Sequence, residues 1–280
     1  MALQLRIPVV ILILTLLLPL RGGAHGDLHE QIAILTKQIE QEPGLADLYL
    51  KRGRLHRAHR AWTSALEDFD RAAVLDPRLA IVDFQRGLTR LDAGEFAAAR
   101  AALDRFVAAH PDHADALVAR ARALVGLGQR PAAVEDFTRA IARLERPRPE
   151  HYVERARALA AEGPPFLAEA LRGLDAGIAR LGPVPALELL AMDLELELQR
   201  YDSALERVTR LSATSPRKEV WMARRGVILV KAGRIPEARA AYASSLAALE
   251  ALPDAQRRTW AMAELDISVR AALERLERDR

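Results

Sequence analysis

The chain has 280 residues, half of them apolar and 28% charged, and it contains no cysteine. Disulfide frameworks, thiolate-held metals and cysteine nucleophiles are excluded, and the apolar share is enough to bury a sizeable core. Lys and Arg number 41 against 38 Asp and Glu, interleaved along the chain, so the one-sign field that nucleic-acid binding needs is missing.

Residues 1–24, MALQLRIPVVILILTLLLPLRGGA, set one cation ahead of an apolar run from Ile7 to Leu20 and close on small residues. This layout predicts a secretory signal peptide cut after Ala24, which makes His25 the mature N-terminus. A retained membrane anchor is the rival reading. However, Pro8 and Pro19 interrupt the run, and it falls short of the roughly 20 residues that a span requires. The remaining chain is expected in the periplasm or outside the cell, with no stable membrane insertion.

Residues 25–45 place Leu28, Ile32, Leu35 and Ile39 at helical steps and predict a capping helix, a truncated copy of the unit that recurs from residue 46 onward. From 46 to 252 the chain repeats. Gly53 and Gly87, Ala65, Ala99 and Ala133, and Pro77 and Pro111 recur every 34 residues, and after an insertion at 148–150 the same spacing links Ala170, Ala204 and Ala238. Six copies result: 46–79, 80–113, 114–147, 151–184, 185–218 and 219–252. Each predicts two amphipathic helices, because apolar residues recur at three- and four-residue steps with no strict alternation. In GEFAAARAALDRFVAAHP, residues 94–111, Gly94 breaks the chain and Pro111 ends the hairpin. Ala99 lets two backbones approach, and Phe96 and Leu103 fill the space around it. Residues 253–280, with Trp260, Ala263 and Ile267 on the expected apolar face and a charged LERLERDR tail, predict a closing helix.

No phosphate-cradling loop, nucleophile elbow or carboxylate pair of defined spacing occurs, so no catalytic residue and no cofactor are expected, and the chain reads as a non-enzyme. Asp193, Glu195 and Glu197 alternate with leucines in MDLELELQ and read as solvated surface, as do Asp68 and Asp136 at their fixed repeat phase. The pairs His56 with His59 and His110 with His113 are expected to pack and to line loops. His25 and His29 are the weak candidates for metal, since a free N-terminal amine beside an imidazole suits copper.

The 34-residue period, with its fixed order of small, large and proline residues, resembles the tetratricopeptide repeat. The fourth copy departs from that pattern: Pro164 and Pro165 replace its turn, and Gly177 replaces a small helix former. The resemblance implies an all-α, right-handed superhelical solenoid of antiparallel helix pairs, whose first helices line a groove for a protein or peptide. The residues at those positions are Leu50, Arg54, Arg57, Ile81, Phe84, Leu88, Arg122, Tyr152 and Arg155. Leu50, Arg54 and Leu88 stand where chaperone-binding members carry lysine and asparagine, so the carboxylate clamp is absent. An apolar segment with acidic flanks is the expected ligand, with Phe84 as its main anchor. The other reading of Ile81, Phe84 and Leu88 is packing between neighbouring copies. The implied role is a scaffold or adaptor of the bacterial cell envelope, and the alternative is a periplasmic copper protein using the N-terminal histidine pair.

Overall fold

Apolar residues at three- and four-residue steps become helices along the whole described chain. The computed structural model describes residues 25–278, in which there are 15 α-helices, one short 3-10 turn and no strand. The signal segment expected at 1–24 lies outside them. The chain divides into two units, Met1–Val82 and Asp83–Arg280. The first holds α1 (His25–Gln41), α2 (Ala46–Ala58) and α3 (Trp62–Leu75), and the division falls within α4 (Ile81–Asp92).

The second unit continues as helical hairpins. Its helices are α5 (Phe96–Ala109), α6 (Ala114–Gly126), α7 (Arg130–Arg143), α8 (Pro149–Ala160), α9 (Leu167–Leu181), α10 (Pro185–Glu197), α11 (Tyr201–Thr214), α12 (Lys218–Lys231) and α13 (Ile235–Glu250). It closes with the one-turn α14 (Asp254–Arg257) and the long α15 (Trp260–Arg278).

Close approach of two backbones explains the small residues. Ala65, Ala99, Ala133, Ala170, Ala204 and Ala238, one in each second helix, all have zero exposure. One turn later the large residue of that helix, Phe69, Leu103 or Phe137, is also fully buried and presses on the first helix of its hairpin. At that contact the first helix has no room for a side chain. A Cβ on Gly53 would lie 2.6 Å from the Phe69 ring, and one on Gly87 2.5 Å from Leu103 Cγ. Repulsion at that range forces one partner to move, so glycine and the large residue are matched across the hairpin.

The turns inside the hairpins share one geometry. The N–H groups of Ala61, Glu95, Gln129, Arg200 and Arg234 each donate to the carbonyl five residues earlier, at 2.7–2.9 Å. This is the Schellman closure of a helix, which needs a left-handed residue just before the donor. Gly94, Gly128 and Gly233 fill that position with φ of 79°, 72° and 73°, while Arg60 and Gln199 adopt φ of 61° and 57° without the freedom of glycine. The fourth hairpin alone replaces the turn, with Pro164–Phe166 forming the 3-10 element between α8 and α9. Two prolines cannot supply the donors that a Schellman closure uses.

The C-terminal segment differs from expectation. It is broken after Arg257, and Trp260 and Ile267 are 78% and 69% exposed rather than packed. The buried stripe on α15 is Met262, Val269 and Leu276, and α15 packs against α13. A stripe of step seven keeps one face towards a single partner helix, whereas the Trp260 face is left for solvent. No helix of the described residues is long and apolar enough to cross a membrane.

Candidate functional site

Opposed charges on successive first helices frame one face of the second unit. Arg122 leaves α6 and reaches α8, where its Nε and Nη2 each donate to one oxygen of Glu154 at 2.8 Å. These bonds hold the guanidinium above its ordinary range against the opposing effect of burial. Beside the pair is a cavity of about 290 Å³ floored by Phe137, Ala158 and Ala161. The two alanines leave the space, and Val125 is exposed at the rim. Arg157 also borders it, and is exposed with no ion-pair partner among the described residues. The chemistry on offer is an apolar recess with one uncommitted cation at its edge.

Tyr152 and Arg155 point elsewhere. Residues 152 and 155 occupy one side of α8, while 154, 157, 158 and 161 face the Arg122 cavity, because each residue advances about 100° around a helix. Tyr152 is buried over Gly177, where a Cβ would lie 2.8 Å from its ring. Arg155 donates from Nε to Thr138 Oγ1 at 2.7 Å and from Nη2 to Glu169 at 2.9 Å. Both line a separate cavity of about 300 Å³ among α7, α8 and α9. The structure therefore does not bring Arg122 together with Tyr152 and Arg155.

Phe84 requires a correction. It is only 9% exposed, stacks on Phe106 at 5.1 Å between ring centroids, and lies 5.1 Å from His113. Its ring closes the hairpin of α4 and α5 instead of projecting for a partner, because an aromatic opposite a second aromatic gains more by stacking than by hydration. Leu88 is half-buried. In the first unit Leu50 belongs to the core, Ile81 packs against that core and Arg57 is half-buried. Arg54 is exposed and lines a cavity of about 400 Å³ with Ile34, Leu35, Lys51 and Leu55, between α1 and α2.

Of the metal candidates, His29 is placed against His59, with their Nε2 atoms 3.0 Å apart, and the side chain of His25 lies outside the described residues. His56 is half-buried, and burial pushes its imidazole pKa down despite Asp68 at 3.8 Å. His113 caps α6 by accepting the Ala116 N–H at 3.2 Å.

The ion pairs inside the hairpins went unread in the sequence. Asp68 and Asp136 are 4% and 3% exposed, and each accepts a two-pronged bond, from Arg52 at 2.6 and 2.9 Å and from Arg120 at 2.6 and 2.7 Å. The same arginines extend to the preceding second helix, at Thr36 and at Asp104, both at 3.1 Å. Glu195 is likewise buried rather than solvated. It accepts from Arg207, which also reaches Glu188 at 2.7 Å and Asp175 at 2.5 Å. Burial disfavours a charge on Arg207, but these three carboxylates outweigh it and hold its pKa above the usual range. The available signal was an arginine and an aspartate of fixed phase, 16 residues apart in two copies.

Paired helices of period 34, small residues matched to large ones, and a common Schellman turn agree with what sequence comparison finds: the model of the tetratricopeptide repeat matches residues 84–128 and 189–255. These are tetratricopeptide repeats. Solved tetratricopeptide-repeat structures share the fold at low identity. A tetratricopeptide repeat protein from Parabacteroides merdae has a TM-score of 0.54 and 16% identity, covering 90% of this chain and 93% of its own. YrrB, described as having an unusual peptide-binding site, has a TM-score of 0.54 and 22% identity over 65% of this chain and 92% of its own. The pilF protein of Pseudomonas aeruginosa gives 0.54 and 19% over 69% and 86%. No curated protein matches the chain.

Proposed function

We propose that this chain is a secreted tetratricopeptide-repeat adaptor of the bacterial cell envelope, without catalytic activity, which holds a segment of a partner protein on the α6–α8 face. The observation that carries the reading is the cavity beside Arg122 and Glu154, apolar in its floor and edged by the uncommitted Arg157. A partner segment with a medium-sized apolar side chain next to an aspartate or glutamate fits it: the first fills the recess over Ala158, the second meets Arg157. The peptide-binding site named for YrrB supports the class of ligand. The envelope location rests on the signal-like sequence of residues 1–24. The copper reading for His25 and His29 is the weaker proposal, because His29 is already engaged with His59.

Peptide display against the chain from residue 25 onward tests this. Selected peptides should share an apolar residue beside an acid, and Ala158→Trp, which fills the recess, should abolish their binding with the helix content unchanged. Peptides that bind equally well after Ala158→Trp would contradict it.

A further inference from the structure

The two histidines that meet across α1 and α2 stand in a position set by helix register. Arg52 on α2 donates to Thr36 on α1 at 3.1 Å, tying the two helices together. Seven residues back from Thr36 is His29, and seven residues on from Arg52 is His59, so antiparallel packing brings these two together two turns away. Their Nε2 atoms are 3.0 Å apart and their ring centroids 4.4 Å, with the planes at 63°. His29 is exposed and His59 half-buried, so an ion from solvent can reach them.

We propose that His29 and His59 form a two-histidine site for a divalent transition ion of the copper, nickel and zinc class. Imidazole donors sit about 2.0–2.1 Å from such an ion, so two of them bound at angles between square and tetrahedral are roughly 2.9–3.4 Å apart. The observed separation falls in that window without any movement of the helices. Without metal the contact is a hydrogen bond in which one Nε2–H donates to the other Nε2. On binding, the donor ring shifts its proton to Nδ1, both Nε2 lone pairs turn to the ion, and no charge is lost from either ring. Among the described residues no group of three or more histidines or carboxylates surrounds an ion site. Water therefore completes the shell, and copper(II), first in affinity for nitrogen donors, binds most tightly. The consequence is a staple between α1 and α2 at the end opposite the Thr36 bond. This site is independent of the α6–α8 face.

Titration of the chain from residue 25 with glycine-buffered copper(II), followed by calorimetry and electron paramagnetic resonance, tests the site. A His25→Ala background removes the imidazole that would chelate together with the N-terminal amine. One equivalent should bind with two nitrogen ligands and raise the melting temperature, since the donors are 30 residues apart and meet only in the folded chain. His29→Ala and His59→Ala should each weaken binding on the order of 100-fold, the loss of a chelating second donor, and abolish the thermal shift. His56→Ala should leave both intact. If His59→Ala leaves affinity and the thermal shift unchanged, or if His25→Ala alone abolishes binding, the proposal is wrong.

Discussion

Arg207 concentrates more of the electrostatic burden than any other side chain described. Its guanidinium is 7% exposed and meets Glu188 and Glu195, themselves almost fully buried, and the half-exposed Asp175. Removing one member of a buried network leaves the others unpaired, so Arg207→Met should cost about 3–5 kcal/mol at neutral pH. The pH dependence has a definite sign. Burial already holds the Glu195 carboxyl above the ordinary range. A raised acid contributes stability below its unfolded value and loses it as pH rises through the folded one. The variant should therefore melt highest in mild acid, where the orphaned Glu195 takes up a proton, and lowest at neutral pH. Thermal melts from pH 4 to 8 read this directly, and a variant as stable as the parent at pH 7 would show that the network carries little. Ala99 gives the apolar counterpart. Ala99→Leu should cost about 1–3 kcal/mol by overpacking, whereas Ala108→Leu, at an exposed position of the same helix, should change the denaturation midpoint little. The small and large positions were legible because steric matching repeats every copy. The buried carboxylates were not, because Asp68, Asp136 and Glu195 look like surface residues until the partner arginine is placed 12 or 16 residues away.

At the scale of the helix and its turn, the hairpins were readable and their orientation was not. Period, glycine and proline located α4 and α5 well, but which side of α8 faced which cavity depended on packing with α7 and α9. The α15 stripe failed for the same reason. Trp260 and Ile267 are spaced as a buried pair would be, and Met262 and Val269 are spaced identically, so periodicity alone could not choose between them. The turns make a sharper test. Gln199 holds the left-handed position that glycine holds in three other hairpins. Gln199→Gly should relieve that conformation and stabilise by up to about 1 kcal/mol, the strain removed exceeding the entropy that glycine adds to the unfolded chain. Gly94→Ala, at φ of 79°, should move the melting temperature the other way. A Gln199→Gly chain that melts below the parent would contradict the turn assignment.

Across the whole molecule, the repeats supply helices whose first members present charge and cavity side by side, and the binding reading rests on one such place in the second unit. The sequence located Arg122 there, but it could not show that Glu154 neutralises it and leaves Arg157 as the free cation. It also set Phe84 forward as an anchor, although Phe106 and His113 claim its ring. The most direct test is site-specific photocrosslinking with a display-selected peptide. A benzophenone side chain at residue 125, on the cavity rim, is compared with one at residue 74, which is 70% exposed on α3. Strong labelling of the peptide from position 125, lost in the Ala158→Trp background, and none from position 74 is the predicted result. Equal labelling from both positions, or labelling from 125 that survives Ala158→Trp, would contradict the assignment of the α6–α8 face as the place where this protein binds.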